Sequence, residues 1–441
     1  MQSKTFSLSE RGQKLASNPA RVDMEVFMEA MQNLYHPTDN PKGTFPLNVA
    51  ENKLMADHIR AKLNSIFWLN EIPEWVMGYT DPNGHPEVRN VFASFMEKHL
   101  CKCPMHEDSI AFSAGASAII EACSFVLADK DDVVVIPAPS YPMYTNDLGV
   151  KSGIERYDLQ THYELQELNS LGPINTEMLE QSLKEINAQG KCFKLLLITS
   201  PDNPTGCKYS DRQLESLAQW CIDHKVHLIV NEIYGLSTID TKDPKIKDQY
   251  DQSQDFNSFA KVMHHHKSDF LHMWYALSKD FAGSGLRFGV LHSLNQDLLT
   301  GFSNTNIPHM VSNLTQWVIG KLLSDDVFLE PYIVENRIQL QKSYQLTIDA
   351  LSELELPFHP IRGSFFVWAD FSKFLKENTQ EAEDQLWLDI YKNTGIVLTP
   401  GKGFMHQKKG MFRIVFTAVP LDHLEVAMNR LKDYLKKASS I

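Results

Sequence analysis

The chain has 441 residues, 43% hydrophobic and 22% charged, the proportions of a globular protein with room for about two domains. A formal net charge of −13 excludes the broad basic surface on which nucleic-acid binding depends. No apolar stretch approaches the ~18 residues of a membrane span, the first ten residues lack the apolar core of a signal peptide, and the six cysteines show neither zinc-like pairing nor disulfide-scaffold density, so a cytoplasmic enzyme is expected.

In chain order, Ser113-Ala-Gly-Ala-Ser-Ala-Ile119 is a small-residue turn opening a predicted helix. It reads either as a plain helix start or as an anion site made by the first free N–H groups. Val133–Ile136, Leu195–Thr199, His227–Val230, Met273–Leu277 and Gly289–His292 are short apolar runs separated by helical-length stretches. That alternation predicts an α/β fold with a mostly parallel central sheet covered by helices. Tyr141, Asn203, Asn231, Tyr234 and Lys279 follow or end these runs, and such strand ends are where open sheets bind ligands. Beyond about residue 306, long amphipathic stretches lead into strand-like runs at 364–370, 395–399 and 411–417, then a helix at 421–437. The predicted division is a large domain, 76–305, and a smaller α+β domain built from 1–75 and 306–441. Gln249–Asn257 is the most loop-like segment. His264-His-His266 reads as a solvated loop and Cys101-Lys-Cys103 as structural, so no metal site is expected.

The segment richest in chemistry is Leu277-Ser-Lys-Asp-Phe-Ala-Gly-Ser-Gly-Leu-Arg-Phe-Gly289. A lysine becomes a nucleophile at neutral pH only when burial or a neighbouring cation lowers its pKa. An arginine offers a permanent planar fork suited to phosphate. Alone, Lys279 reads as an ordinary solvated lysine. Upstream, however, stand Ser200-Pro-Asp-Asn203-Pro-Thr-Gly206 and His227-Leu-Ile-Val-Asn231-Glu-Ile-Tyr234-Gly235, each polar cluster closing an apolar run. Downstream, Met411-Phe-Arg413-Ile-Val-Phe416 places a lone cation in an apolar strand. Such a cation needs an anionic partner, either a structural carboxylate or a ligand.

Together these segments resemble pyridoxal 5′-phosphate (PLP) enzymes of the aspartate aminotransferase type, fold type I, from about Phe45 to Leu435. The resemblance implies that Lys279 bonds covalently to the cofactor aldehyde and that Arg287 holds its phosphate with Ala116, Ser117 and Ser278. It further implies that Tyr141 stacks on the pyridine, that Asn203 and Tyr234 reach its phenolic oxygen, and that Asn231 meets its ring nitrogen. Arg413 would bind the substrate α-carboxylate. Val49-Ala-Glu51-Asn-Lys-Leu54, Phe365-Phe-Val-Trp-Ala-Asp370 and Pro400-Gly-Lys-Gly-Phe404 resemble the 1-aminocyclopropane-1-carboxylate (ACC) synthase group, in which the residue matching Glu51 faces substrate.

Three departures limit what the resemblance carries. Asn231 stands where the family has an aspartate that keeps the pyridine nitrogen protonated. Ala276 replaces a phosphate-binding serine. Pro82 falls where ACC synthases keep a tyrosine, while Tyr79 fits the tyrosine that reaches the neighbouring subunit's phosphate. The implied protein is a homodimer with shared sites acting on a small α-amino acid. Transamination is its expected reaction, with ACC-synthase-like carbon–sulfur lyase chemistry, or cofactor binding with altered catalysis, as alternatives.

Overall fold

A computed structural model describes residues 7–17, 21–161, 174–240 and 256–438. The main sheet contains β1 (Ile110–Ser113), β2 (Val133–Ala138), β3 (Glu155–Gln160), β4 (Phe193–Thr199), β5 (His227–Asn231), β6 (Leu271–Ala276) and β7 (Gly289–Ser293). Their order is β1-β7-β6-β5-β4-β2-β3. Neighbours from β3 to β6 run parallel, and β7 is antiparallel to β6 and β1. The mostly parallel sheet is as predicted, with two strands, β1 and β3, that the apolar runs did not disclose. In β3, an edge strand, only Leu159 is buried, so its polar sequence carries no apolar signal.

The central strands are apolar throughout because both of their faces are covered. Val133, Val135, Leu196, Ile198, Leu228 and Val230 enter one core, while Val134, Ile136, Leu195, Leu197 and Ile229 enter the other. This is the period-2 alternation of a pleated strand. The helices Ala116–Leu127 and Tyr144–Ser152 cover the second face, and Asp211–His224 and Ala260–His266 contribute to the first. Each fully buried leucine or valine contributes about 1.5–3 kcal/mol, so the sheet is a stiff frame for the loops at its edge.

A smaller sheet, ordered β8-β10-β9, is antiparallel and consists of β8 (Phe366–Asp370), β9 (Thr399–Pro400) and β10 (Met411–Val415). The run predicted at 395–399 becomes strand only at Thr399. Gly395, at φ +73°, ends the helix Gln380–Thr394 in a left-handed turn instead. The helix Leu421–Ala438 buries Leu424, Met428, Leu431 and Leu435 along one stripe into this core.

The core on one face of the main sheet draws on segments before residue 75 and after residue 305. Ile59 and Ile66 of the helix Ala56–Leu69, and Trp317 and Leu322 of the helix Asn313–Leu323, pack into the core of the main sheet. The helix Asp326–Glu353 joins that core at Leu329 and Tyr332, then the smaller core at Leu340, Tyr344 and Leu351. Amphipathic spacing reveals that a helix has a buried face but not what buries it. Of the segment read as loop, residues 249–255 lie outside the described residues.

The topology also explains where polar residues gather. The parallel strands β2, β4, β5 and β6 end at one edge, and the opposed β7 starts there, with Gly289 facing both Ala276 and Ser113. Residues after Ser113, Ala138, Thr199, Asn231 and Ala276, and those just before Gly289, therefore share that edge.

Candidate active site

Lys279 sits in the short helix Leu277–Asp280, which a buried carboxylate anchors. Asp280 accepts from the Ser237 hydroxyl (2.5 Å), the Leu236 N–H (3.0 Å) and the Tyr275 hydroxyl (2.9 Å). Burial raises its own pKa to about 6 against these donors. Lys279 Nζ donates to the carbonyl of Ala50 at 2.5 Å. Burial, followed by the charge of Arg413, lowers its pKa from the ordinary value to about 8, with Glu51 pulling the other way and Arg21 and Arg287 adding to the depression.

Arg413 lies on β10, paired with Trp368 and Thr399, its guanidinium 4.7 Å from the Phe366 ring centre and 4.9 Å from that of Phe404. It donates to Asn203 Oδ1 (2.8 Å) and to the Asn48 carbonyl (2.6 Å), while its Nε is buried without a partner. Burial and then Arg21 lower its pKa to about 10. Among the described residues no carboxylate touches it. Asp23 stands one layer behind, accepting from Arg21 Nε (2.9 Å) and Nη2 (2.6 Å), Asn48 Nδ2 (2.8 Å) and the Thr399 hydroxyl (3.0 Å).

The turn before the helix Ala116–Leu127 passes through Gly115 at φ +92°. A Cβ there would lie 2.4 Å from Arg287 Nη2, so a glycine is required on two counts. Arg287 donates to the carbonyls of Ser284 (3.0 Å) and Ala114 (3.3 Å), which places its fork at the helix start beside Ala116 and Ser117. The Ser117 hydroxyl donates to Asp147 Oδ2 at 3.2 Å, and burial raises that carboxyl to about 6. Ser278 is buried beside Lys279, and Ser284 donates its hydroxyl to the Ser278 carbonyl (2.8 Å).

Tyr141 meets Tyr144 edge to face at 5.2 Å, and burial raises its phenol to about 12. Asn231 accepts from the Ile233 N–H (3.1 Å) and donates to the Tyr144 hydroxyl (2.8 Å), itself 2.7 Å from the Thr199 hydroxyl. Tyr234 is buried against the edges of Phe365 and Phe366, and burial holds its phenol well above the ordinary range. The turn presenting Asn203 is organised by Asp202, which accepts from the Thr205 hydroxyl at 2.6 Å. Glu51 is half exposed and paired with Lys53 at 2.7 Å, whereas Tyr79 is fully exposed.

The sequence-selected residues thus converge on one edge, with Lys279 and Arg413 linked through the loop Asn48–Glu51 and Asn203 held on Arg413, while Tyr79 stays apart. Sequence reasoning missed Arg21, Asp23, Asn48, Tyr144, Asp147 and Thr399, for which no motif signalled a role. It also misplaced the histidine run: His264–His266 end the helix Ala260–His266 rather than forming a loop. His266 Nε2 and His265 Nδ1 lie 2.6 Å and 3.3 Å from the carboxylate of Glu215, three groups that could together hold a metal ion.

Residues 45–431 match the family described as Aminotransferase class I and II. The chain is 30% identical to 1-aminocyclopropane-1-carboxylate synthase 6 of Arabidopsis thaliana, over 91% of this chain and 80% of that one. It is 29% identical to a mouse protein named probable inactive 1-aminocyclopropane-1-carboxylate synthase-like protein 2, over 96% and 71%. In fold it is similar to Thermus thermophilus aspartate aminotransferase with maleate (TM-score 0.77, 18% identity, 97% and 99% covered) and to an aminotransferase from Mycobacterium tuberculosis (TM-score 0.77, 22%, 98% and 100%). The family depends on PLP, and the donors here fit that cofactor. A buried amine of lowered pKa suits its aldehyde, and a guanidinium packed on the glycine at a helix start suits its phosphate. The chain belongs to the class I and II aminotransferases, built on the PLP fold of aspartate aminotransferase.

Proposed function

We propose that the protein acts on a small α-amino acid and converts it to the 2-oxo acid by transamination. The observation that carries this reading is the placement of Lys279 and Arg413 on carbonyls two residues apart, Ala50 and Asn48, with the amine pKa lowered to about 8. An amine of that pKa is about one-tenth neutral at pH 7, enough to serve as nucleophile and base. When bound, PLP supplies an aldehyde for the substrate amine and a conjugated ring that takes up charge from Cα.

In this reading Arg413 binds the substrate carboxylate and directs the Cα–H toward Lys279, which removes that proton and returns it. Asn203 uses its carbonyl on Arg413, which leaves its amide N–H for the phenolic oxygen, joined by Tyr234. Tyr141 faces the ring, and Asn231 meets its nitrogen. Arg287, Ser278 and the helix start at Ala116 and Ser117 hold the phosphate. The smaller domain carries Glu51 and Arg413 toward the Lys279 edge, so a ligand bridging the two sheets favours closure. Trp68, Leu69, Met77 and Tyr79 form an exposed apolar stretch that a second copy would cover, bringing Tyr79 to the partner's phosphate site. Six free thiols support a cytoplasmic setting.

Lyase chemistry of the ACC-synthase kind is the second reading, favoured by the 30% identity to the Arabidopsis synthase. The pairing of Glu51 with Lys53 opposes it, because that carboxylate is partly neutralised before a cationic sulfonium substrate arrives. Cofactor binding with altered catalysis is the reading that Asn231 favours. A panel of amino acids that includes S-adenosylmethionine, scored for 2-oxo acid and cyclopropane products, separates the three. Lys279→Ala should abolish the pyridoxyl-lysine left after borohydride reduction. Peptide mass spectrometry finding the group on another lysine would overturn the assignment.

A further inference from the structure

Arg413 is a buried cation whose direct partners among the described residues are all neutral, and the proposed carboxylate site depends on its orientation. A fixed negative charge of the N-terminal segment acts on it from behind these partners. Asp23 is fully buried and receives the four hydrogen bonds described above. Two of its donors also hold Arg413: Asn48 through its carbonyl, and Thr399 through a hydroxyl 3.5 Å from Arg413 Nη2. Arg21 Nη2 reaches the same Asn48 carbonyl at 3.1 Å, so two guanidinium groups meet on one oxygen.

We infer that Asp23 is a positioning residue for Arg413, acting through Asn48 and Thr399, with Arg21 as the counter-charge that Asp23 holds. The inference rests on the reading of Arg413 given above. Two like charges on one oxygen repel, and Asp23 holds them together by neutralising one and fixing the Asn48 amide and Thr399 hydroxyl that frame the other. Two cations and one anion leave net positive charge on the pocket wall. That charge attracts a ligand carboxylate and opposes a cationic group placed beside it. The N-terminal segment is thereby part of the binding machinery.

The test is calorimetric titration of the PLP-loaded protein with propionate, a carboxylate that lacks an amine. In Asp23→Asn an amide N–H is turned toward groups that are already donors, and the propionate Kd should rise about tenfold. Thr399→Val keeps volume and removes one bridge, which guards against a misfolded Asp23 variant; its Kd should rise about threefold, with PLP content unchanged. The decisive measurement adds Asp23→Asn to Arg413→Met: a residue acting through Arg413 has nothing left to disturb, so the double variant should bind as Arg413→Met alone does. Wild-type affinity in both Asp23→Asn and Thr399→Val, or a further independent loss in the double variant, would overturn the inference and leave the proposed function standing. Failure of the wild-type protein to bind propionate would instead remove the reading of Arg413 on which it rests.

Discussion

Replacing Asn231 by aspartate tests how this site departs from its family. The amide is nearly buried, accepts from the Ile233 N–H and donates to the Tyr144 hydroxyl, which is in contact with Thr199. A carboxylate of the same shape keeps the first bond. It keeps the second if the Tyr144 hydroxyl turns to donate, and the Thr199 hydroxyl can then donate to Tyr144 in exchange. The substitution therefore adds a negative charge without stranding a donor. A carboxylate about 4 Å from a protonated ring nitrogen gains about 4 kcal/mol at an effective dielectric near 20. Burial takes much of that back: Asp202 and Asp280, buried carboxyls of the same region, sit at about 6, roughly two units above the ordinary aspartate value and so about 3 kcal/mol. About 1 kcal/mol remains, which is about a fivefold gain in the rate of Cα–H cleavage. The assay is single-turnover change of the cofactor absorbance after mixing with amino acid, in both proteins at matched PLP occupancy. A rate in Asn231→Asp equal to or below that of the wild type would refute the reasoning, because the amide would then serve the reaction as well as a carboxylate does.

Three further outcomes follow from the geometry. The lowered pKa of Lys279 means that its neutral, reactive form dominates above about pH 8, so the rate of PLP uptake by cofactor-free protein should rise with pH to a midpoint there. Because the charge of Arg413 contributes to the depression, Arg413→Met should move that midpoint upward, and an unmoved midpoint would refute the coupling. Asp147 takes the Ser117 hydroxyl and sets a carboxylate beside the expected phosphate, so Asp147→Asn should slow PLP dissociation about threefold or more, most clearly above pH 6, where the wild-type carboxyl is ionised. Tyr79→Phe should speed PLP loss without lowering the thermal midpoint, as measured by cofactor retention on gel filtration; equal retention would remove the shared-site role.

The residues legible in the sequence share one property: each is a chemically specific type closing an apolar run. Lys279 and Asn203 follow β6 and β4 and Asn231 ends β5, and burial of those strands is what made their ends visible. Arg413 stood out as a charge inside such a run. Arg21 and Asp23 have no apolar frame to single them out, although Asp23 is fully buried. Tyr144 and Asp147 lie in a helix whose register cannot be read without knowing what it packs against. Asn48 acts through its backbone carbonyl, which no side-chain pattern encodes. The helices Ala56–Leu69 and Asn313–Leu323 pack into the core of the main sheet, a partner that apolar spacing alone does not specify.

The backbone of residues 47–53 explains how these pieces act as one site. Leu47 accepts from the Val415 N–H, Glu51 accepts from the Thr417 hydroxyl, and the Lys53 N–H donates to the Thr417 carbonyl, so the segment is hydrogen-bonded to β10 and the residues just after it. Yet its Ala50 carbonyl holds Lys279, which lies in the short helix that follows β6 of the main sheet. A charged ammonium makes a stronger bond to that carbonyl than a neutral amine does, by about 1 kcal/mol or more. Loss of the Lys279 proton, or covalent attachment of the amine to a carbonyl compound, therefore loosens the tie between the two sheets as the amine enters its reaction. A carboxylate on Arg413, which is anchored through Asn48 in the same segment, then restores a link between them. In the proposed reaction, chemistry at the amine and binding of the carboxylate would thus share one short stretch of backbone.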